Sequence, residues 1–138
     1  MADGATDPEL AVLVVEDDQE MRALLRRILE GTGYRVLERG RADGLPEALQ
    51  ELRVDVVVLD KEMPGTGGLQ ALAQLRRSHP RLPVILITAF GGPDVERRAL
   101  ALGATRYLEK PFSLRHLLES VRQASRVSAL PLGGADTG

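Results

Sequence analysis

The chain has no cysteine and no tryptophan, and its aromatic residues are two tyrosines and two phenylalanines in 138 residues. Without cysteine there are no disulfides and no thiolate metal ligands, which fits a cytoplasmic chain. No apolar run approaches the roughly 18 residues of a membrane helix, and no secretory signal opens the sequence. Net charge is −2 with no block of like charges, so a nucleic-acid surface has little support and none is expected. Lysine is nearly missing as well. Of 18 basic residues only Lys61 and Lys110 are lysine; the rest are arginine. A chain that so prefers Arg singles out two places where a compact, flexible ammonium stands. Both lie just beyond apolar runs.

What remains is an ordinary globular composition, 43% hydrophobic and 28% charged. At this length one domain is expected, burying about two-thirds of its unfolded surface. Its most telling stretch is Val54-Asp55-Val56-Val57-Val58-Leu59-Asp60, followed by Lys61-Glu62-Met63-Pro64-Gly65-Thr66-Gly67-Gly68. The run from Val56 to Leu59 reads as a strand buried on both faces, as in a parallel sheet covered by helices. It ends on a carboxylate, and the Pro/Gly cluster then turns the chain.

Four further strands are expected, at residues 10–15, 34–38, 84–89 and 105–109. Between and after them come five helices. Asp18 is placed to cap the first, whose Met21, Leu24, Leu25, Ile28 and Leu29 form an apolar stripe. Pro46 opens the second, running to about Arg53. The third covers 69–78 with Leu69, Leu72, Ala73 and Leu75 inward, and Pro93 starts the fourth. Ser113 caps the last, which carries Leu114, Leu117, Leu118 and Val121 on one face. Alternating strands and helices with short connections imply right-handed crossovers and a parallel sheet covered on both sides.

In such a sheet every strand delivers its carboxyl end to one edge, where open α/β sheets bind ligands. Here the deliveries are Glu16 and Asp17, Asp60, Thr88, and Lys110. Two carboxylates about 4 Å apart repel by about 4 kcal/mol at an effective dielectric near 20. Such a cluster requires raised pKa values or a bound cation, and hard oxygen ligands without His or Cys point to Mg²⁺. The ammonium and the hydroxyl suit phosphate oxygens. His79 and His116 stand outside the cluster, which argues against a phosphohistidine role.

Five separated motifs, Val15-Glu16-Asp17-Asp18, Asp60-Lys61-Glu62-Met63-Pro64-Gly65, Thr88-Ala89, Tyr107 and Lys110-Pro111-Phe112, together resemble the receiver domains of two-component response regulators. The resemblance covers about residues 10 to 125. It implies a flavodoxin-like (βα)5 fold, a doubly wound parallel five-stranded sheet of order 2-1-3-4-5, over residues 10–127. Residues 1–9 and 128–138 are then flexible tails. It makes Asp60 the phosphoacceptor, and Glu16, Asp17, Asp60 and the Glu62 backbone carbonyl the Mg²⁺ ligands, with Mn²⁺ as a substitute. Thr88, Ala89 and Lys110 would bind the phosphoryl group, Thr88 and Tyr107 would form the switch, and the Lys110–Pro111 bond would be cis. Lys61 is expected to point to solvent.

The implied partners are a histidine kinase or histidine phosphotransfer protein and a downstream effector at the face of the fourth helix, fifth strand and fifth helix. A phosphorylation-dependent dimer is allowed. Expected to be a non-enzymatic switch, the chain has alternatives. One is a phosphohydrolase with an aspartate nucleophile, although Glu62 stands where such enzymes usually place a second Asp. Another is a nucleotide or flavin module, for which Gly65-Thr66-Gly67-Gly68 is a weak loop without GxxxxGK[ST]. A stand-alone receiver is expected, with the first domain of a longer transcriptional regulator as the alternative.

Overall fold

The computed structural model describes residues 10–129. Five strands alternate with five helices: β1 (Ala11–Val15), α1 (Gln19–Gly31), β2 (Arg35–Arg39), α2 (Leu45–Glu51), β3 (Val56–Asp60), α3 (Gly68–Ser78), β4 (Val84–Thr88), α4 (Pro93–Ala101), β5 (Arg106–Glu109) and α5 (Leu114–Ala129). All neighbouring strands pair parallel in the order β2-β1-β3-β4-β5. This is the flavodoxin-like order. Residues 1–9 and 130–138 lie outside the described residues, and of the tail expected at 128–138 the first two residues belong to α5, which continues through Ala129.

The apolar runs are continuous because each central strand feeds two cores at once. Val12 and Val14 of β1, Val56 and Val58 of β3, and Ile85 and Ile87 of β4 face α1 and α5, where Leu25, Leu29, Leu117, Val121 and Ala124 cover them. The alternate residues Leu13, Val15, Val57, Leu59, Val84 and Leu86 face α2, α3 and α4, meeting Leu45, Leu49, Ala71, Leu72, Leu75 and Ala99. Side chains alternate across a strand, so a strand between two helical layers can have no polar position until it leaves the core. Each fully buried Val, Leu or Ile contributes roughly 1.5–3 kcal/mol relative to exposure. A shift of one residue in register would exchange the two faces and misplace every strand end.

Local chemistry sets where the helices start. Asp18 caps α1, accepting from the Glu20 and Met21 amides at 3.0 and 3.4 Å. Ser113 Oγ accepts the His116 amide at 3.0 Å at the start of α5. The inward face of α3 differs from expectation: Gly68, Ala71, Leu72 and Leu75 are buried, while Leu69 and Ala73 are half-buried. The stripe is counted from Gly68 because the first turn of α3 rests directly on the end of β3. A Cβ at Gly68 would lie 2.4 Å from the Asp60 carbonyl oxygen and 2.5 Å from Lys61 Cα. Leu24 and Leu114, expected inward, are 44% and 51% exposed. Both line an apolar groove between α1 and the start of α5, together with Met21, Ile28 and Phe112.

Candidate functional site

The register brings the strand ends together. Val15 pairs with Leu59, Asp60 with Ile87, and Thr88 with Glu109. Glu16, Asp60, Thr88 and Lys110 therefore meet on one edge, each carried there by a strand with no freedom to slide. Glu16, Asp60 and Thr88 are buried, at 1%, 2% and 0% exposure, whereas Asp17 is open to solvent. Glu16, Asp17 and Asp60 each offer a carboxylate oxygen within 4.8 Å of the others.

Lys110 stands between the two buried acids. Its Nζ donates to Glu16 Oε1 at 3.2 Å and lies 3.4 Å from Asp60 Oδ1. The second contact is an ion pair without hydrogen-bond alignment, and Asp60 Oδ1 is buried with no hydrogen-bond partner among the described residues. Burial first, and then the Glu16 carboxylate, push the Asp60 carboxyl up to about 7 against the pull of Lys110. Burial works against the ammonium too, but Asp60 and Glu16 outweigh it and hold the Lys110 pKa above its usual value. An unsatisfied buried carboxylate oxygen, two further acids and an opening on the Asp17 side form a donor set that fits a hard divalent cation. The Lys110–Pro111 peptide bond is cis.

Glu62 goes where no spacing rule would send it. Its carboxylate accepts from Thr88 Oγ at 2.5 Å, from the Ala89 amide at 3.0 Å and from Lys61 Nζ at 3.1 Å. Burial opposes ionisation there, but these donors hold the Glu62 carboxyl below the usual carboxylate range. Lys61, expected in solvent, is instead half-buried against Glu62, because the neighbouring carboxylate lies within reach of its flexible stem. Tyr107 is half-buried against the α2–α4 side of the core. Its hydroxyl donates to Glu109 Oε2 at 2.9 Å, and the same oxygen accepts the Gly92 amide at 2.8 Å. Burial, then Glu109, push that hydroxyl up to about 12.

Two supports were not visible in the sequence. Arg22 on α1 donates to the Glu16 carbonyl at 2.6 Å and to Glu38 Oε1 at 3.0 Å, holding the acidic turn against β2. Asp43, after β2, accepts the Thr66 amide at 2.9 Å and so ties down the loop after Asp60. The Thr66 amide, its hydroxyl and Arg41 hold the Asp43 carboxyl down at about 2. The Gly/Pro-rich loop at 64–68 was the available hint, since a loop of that composition needs an anchor to stay in place.

A flavodoxin-like sheet with an acidic, lysine-bridged cluster at the carboxyl ends of its central strands defines an α/β protein whose carboxylates could hold a hard cation. The chain belongs to the response regulator receiver domain family, which matches residues 12–122. It is 40% identical over 126 residues to the C4-dicarboxylate transport transcriptional regulatory protein DctD of Pseudomonas aeruginosa, covering 91% of this chain and 27% of that protein. It is 38% identical over 113 residues to the DNA-binding transcriptional regulator NtrC of Escherichia coli, covering 82% of this chain and 24% of NtrC. The chain thus spans about a quarter of the length of these two relatives. Among solved structures, the beryllofluoride-activated NtrC4 receiver domain dimer superposes with a TM-score of 0.81 at 32% identity, over 86% of this chain and 98% of that one. Among the described residues no helix is long and apolar enough to cross a membrane.

Proposed function

We propose that this receiver is a phosphorylation switch in which Asp60 accepts a phosphoryl group from a histidine kinase or a histidine phosphotransfer protein. The observation that carries the reading is Asp60 Oδ1, buried beside Glu16, Asp17 and Lys110 and without a hydrogen-bond donor. A carboxylate so placed is a nucleophile. One of its oxygens attacks phosphorus as the P–N bond to the donor imidazole breaks, and the imidazole leaves with the electron pair and takes up a proton. The product is an acyl phosphate on Asp60.

Glu16, Asp17, Asp60 and the Glu62 backbone carbonyl are the proposed ligands of Mg²⁺, with Mn²⁺ as a substitute. When bound, such a cation supplies positive charge that offsets the crowded carboxylates and the phosphoryl oxygens. Lys110 exchanges its contact with Asp60 for the phosphoryl oxygens. Thr88 Oγ and the Ala89 amide supply further donors, as charge-assisted hydrogen bonds.

The output reading follows from where Thr88 sits. As it shifts toward the phosphoryl group, Tyr107 moves inward and reshapes the face of α4, β5 and α5 for a downstream protein. A phosphorylation-dependent dimer, in keeping with the activated dimer described for the NtrC4 receiver, is a second form of output. The chain acts in the cytoplasm as a switch, binds no nucleic acid through these residues, and turns over no substrate beyond its own phosphorylation and dephosphorylation. Glu62 occupies the position at which an aspartate-nucleophile phosphohydrolase keeps its general acid. Held ionised by three donors, it is poorly suited to deliver a proton.

Incubation with acetyl or carbamoyl phosphate and Mg²⁺ tests the reading by intact-mass spectrometry. A single phosphoryl adduct is expected on the wild type and none on Asp60→Asn. Equal incorporation in the two proteins would overturn the assignment.

A further inference from the structure

Thr88 Oγ and the Ala89 amide are two donors aimed past the end of β4, and both already have an acceptor. Glu62 Oε2 takes the Thr88 hydroxyl at 2.5 Å, and Oε1 takes the Ala89 amide at 3.0 Å. One carboxylate thus bridges both groups with its two oxygens, as two oxygens of a phosphoryl group would. We propose that the Glu62 carboxylate is a built-in occupant of this seat, displaced when Asp60 is phosphorylated, and that its competition sets how tightly the phosphoryl group is held. The proposal rests on Asp60 being the phosphoacceptor.

The competition follows from counting protons. A hydroxyl has one proton to donate, and a backbone amide has one. Thr88 Oγ also accepts the Phe90 amide at 3.0 Å, which helps orient the hydroxyl. While Glu62 holds the Thr88 proton, no phosphoryl oxygen can have it. Glu62 is only half-buried, so its side chain can swing out without being stranded in the core. Lys61 is already at 3.1 Å and gives the released carboxylate a partner. The arrangement therefore behaves as a two-state seat, closed by Glu62 or open to the ligand. A ligand that needs the open form binds more weakly by the fraction of time the seat is open. If the seat is closed about nine-tenths of the time, the apparent affinity is lowered about tenfold.

Charge repulsion between Glu62 and a phosphoryl group would also weaken binding, and the two causes separate by substitution. Glu62→Ala removes both the charge and the acceptor. Glu62→Gln removes the charge but keeps a carbonyl oxygen that can still take one of the two donors. Beryllofluoride binding in saturating Mg²⁺ is measured for the wild type and both variants. The Ala89 amide proton is followed by NMR in the proteins without beryllofluoride, where the dispersion of the other amides also reports folding. The expected result is about tenfold tighter binding for Glu62→Ala, an intermediate value for Glu62→Gln, and an upfield Ala89 amide in the free Glu62→Ala protein. Wild-type affinity in Glu62→Ala, or an unmoved Ala89 amide, overturns the proposal. So does equal tightening by both variants, which repulsion alone would produce. Absence of Asp60-dependent beryllofluoride binding in the wild type instead overturns the phosphoacceptor reading, and the competition with it.

Discussion

Lys110 donates to Glu16 Oε1 at 3.2 Å, joining the ends of β5 and β1 across 94 residues of chain. The ammonium is shared with Asp60 at 3.4 Å, so one cation serves two buried acids that would otherwise repel each other. The pair is partly desolvated, and removing one member leaves the others uncompensated.

Lys110→Ala is therefore expected to destabilise the metal-free protein by roughly 2 to 4 kcal/mol, somewhat under the roughly 3 to 5 kcal/mol for breaking a fully buried pair because the Lys110 side chain is partly exposed. Added Mg²⁺ should restore part of the loss, because a second cation then offsets the same carboxylates. Urea unfolding with EDTA and with excess Mg²⁺ checks both halves. Equal losses in the two conditions would separate the lysine from the cation site.

The raised pKa of Asp60 carries a definite sign. The folded protein holds a proton on this group up to about pH 7, whereas the unfolded chain releases it near the ordinary value of 3.8. Between those values the folded state binds more protons, so stability falls as pH rises through the window. Asp60→Asn should remove that slope and stabilise the metal-free protein at pH 7.5 by up to about 4 kcal/mol, since the window spans about 3 pKa units at about 1.4 kcal/mol each. Unfolding midpoints from pH 4.5 to 8 in EDTA measure it. A mutant less stable than wild type at pH 7.5 would contradict the assignment of Asp60 as a buried, poorly solvated acid.

Gly68→Ala and Gly91→Ala should differ sharply, although each adds one methyl group. At Gly68 the new Cβ meets backbone, 2.4 Å from the Asp60 carbonyl oxygen, which cannot yield without moving β3 or α3. A loss of about 2 kcal/mol or more is expected, of the size seen for overpacking, together with impaired phosphorylation of the displaced Asp60. Thermal unfolding and acetyl phosphate labelling give the two readouts.

At Gly91 the new Cβ would lie 2.1 Å from the Tyr107 hydroxyl and 2.5 Å from Glu109 Oε2, the far ends of two side chains that can turn away. The expected cost is below about 1 kcal/mol, within the range of substitutions that spare backbone and core. The ring should nevertheless be evicted from its place, shifting the Tyr107 aromatic resonances and freeing the Gly92 amide. Unchanged Tyr107 signals in Gly91→Ala would show that the loop after β4 does not set the position of the ring.

Much of this molecule is local and was legible from its residues. Alternating two-faced burial makes β1, β3 and β4 continuous apolar runs, and the first polar residue after each run marks the edge where the candidate site assembles: Glu16, Asp60 and, for β4, Thr88 at the strand end. The caps at Asp18 and Ser113, and the breaks at glycine and proline, depend on neighbours within a few residues. So do the five elements of each kind, which fall within one or two residues of their expected ends.

What tertiary structure alone decided is where long side chains go once the strand ends meet. Lys110 finds Glu16 only because the β1–β3 and β3–β4–β5 registers bring those ends level. Glu62 finds its donors Thr88 and Ala89 at and just past the end of another strand, 26 and 27 residues away, and Lys61 is drawn in from solvent by the carboxylate held there. The rotation of α3 was likewise invisible, because it is set by Gly68 lying on the Asp60 carbonyl rather than by the spacing of leucines. Sequence determined the strands and the chemistry each delivers, since those follow from local burial and covalent order. The pairing of charges across the edge belongs to the fold, since Coulombic and hydrogen-bond terms depend on distances that only the packed sheet defines.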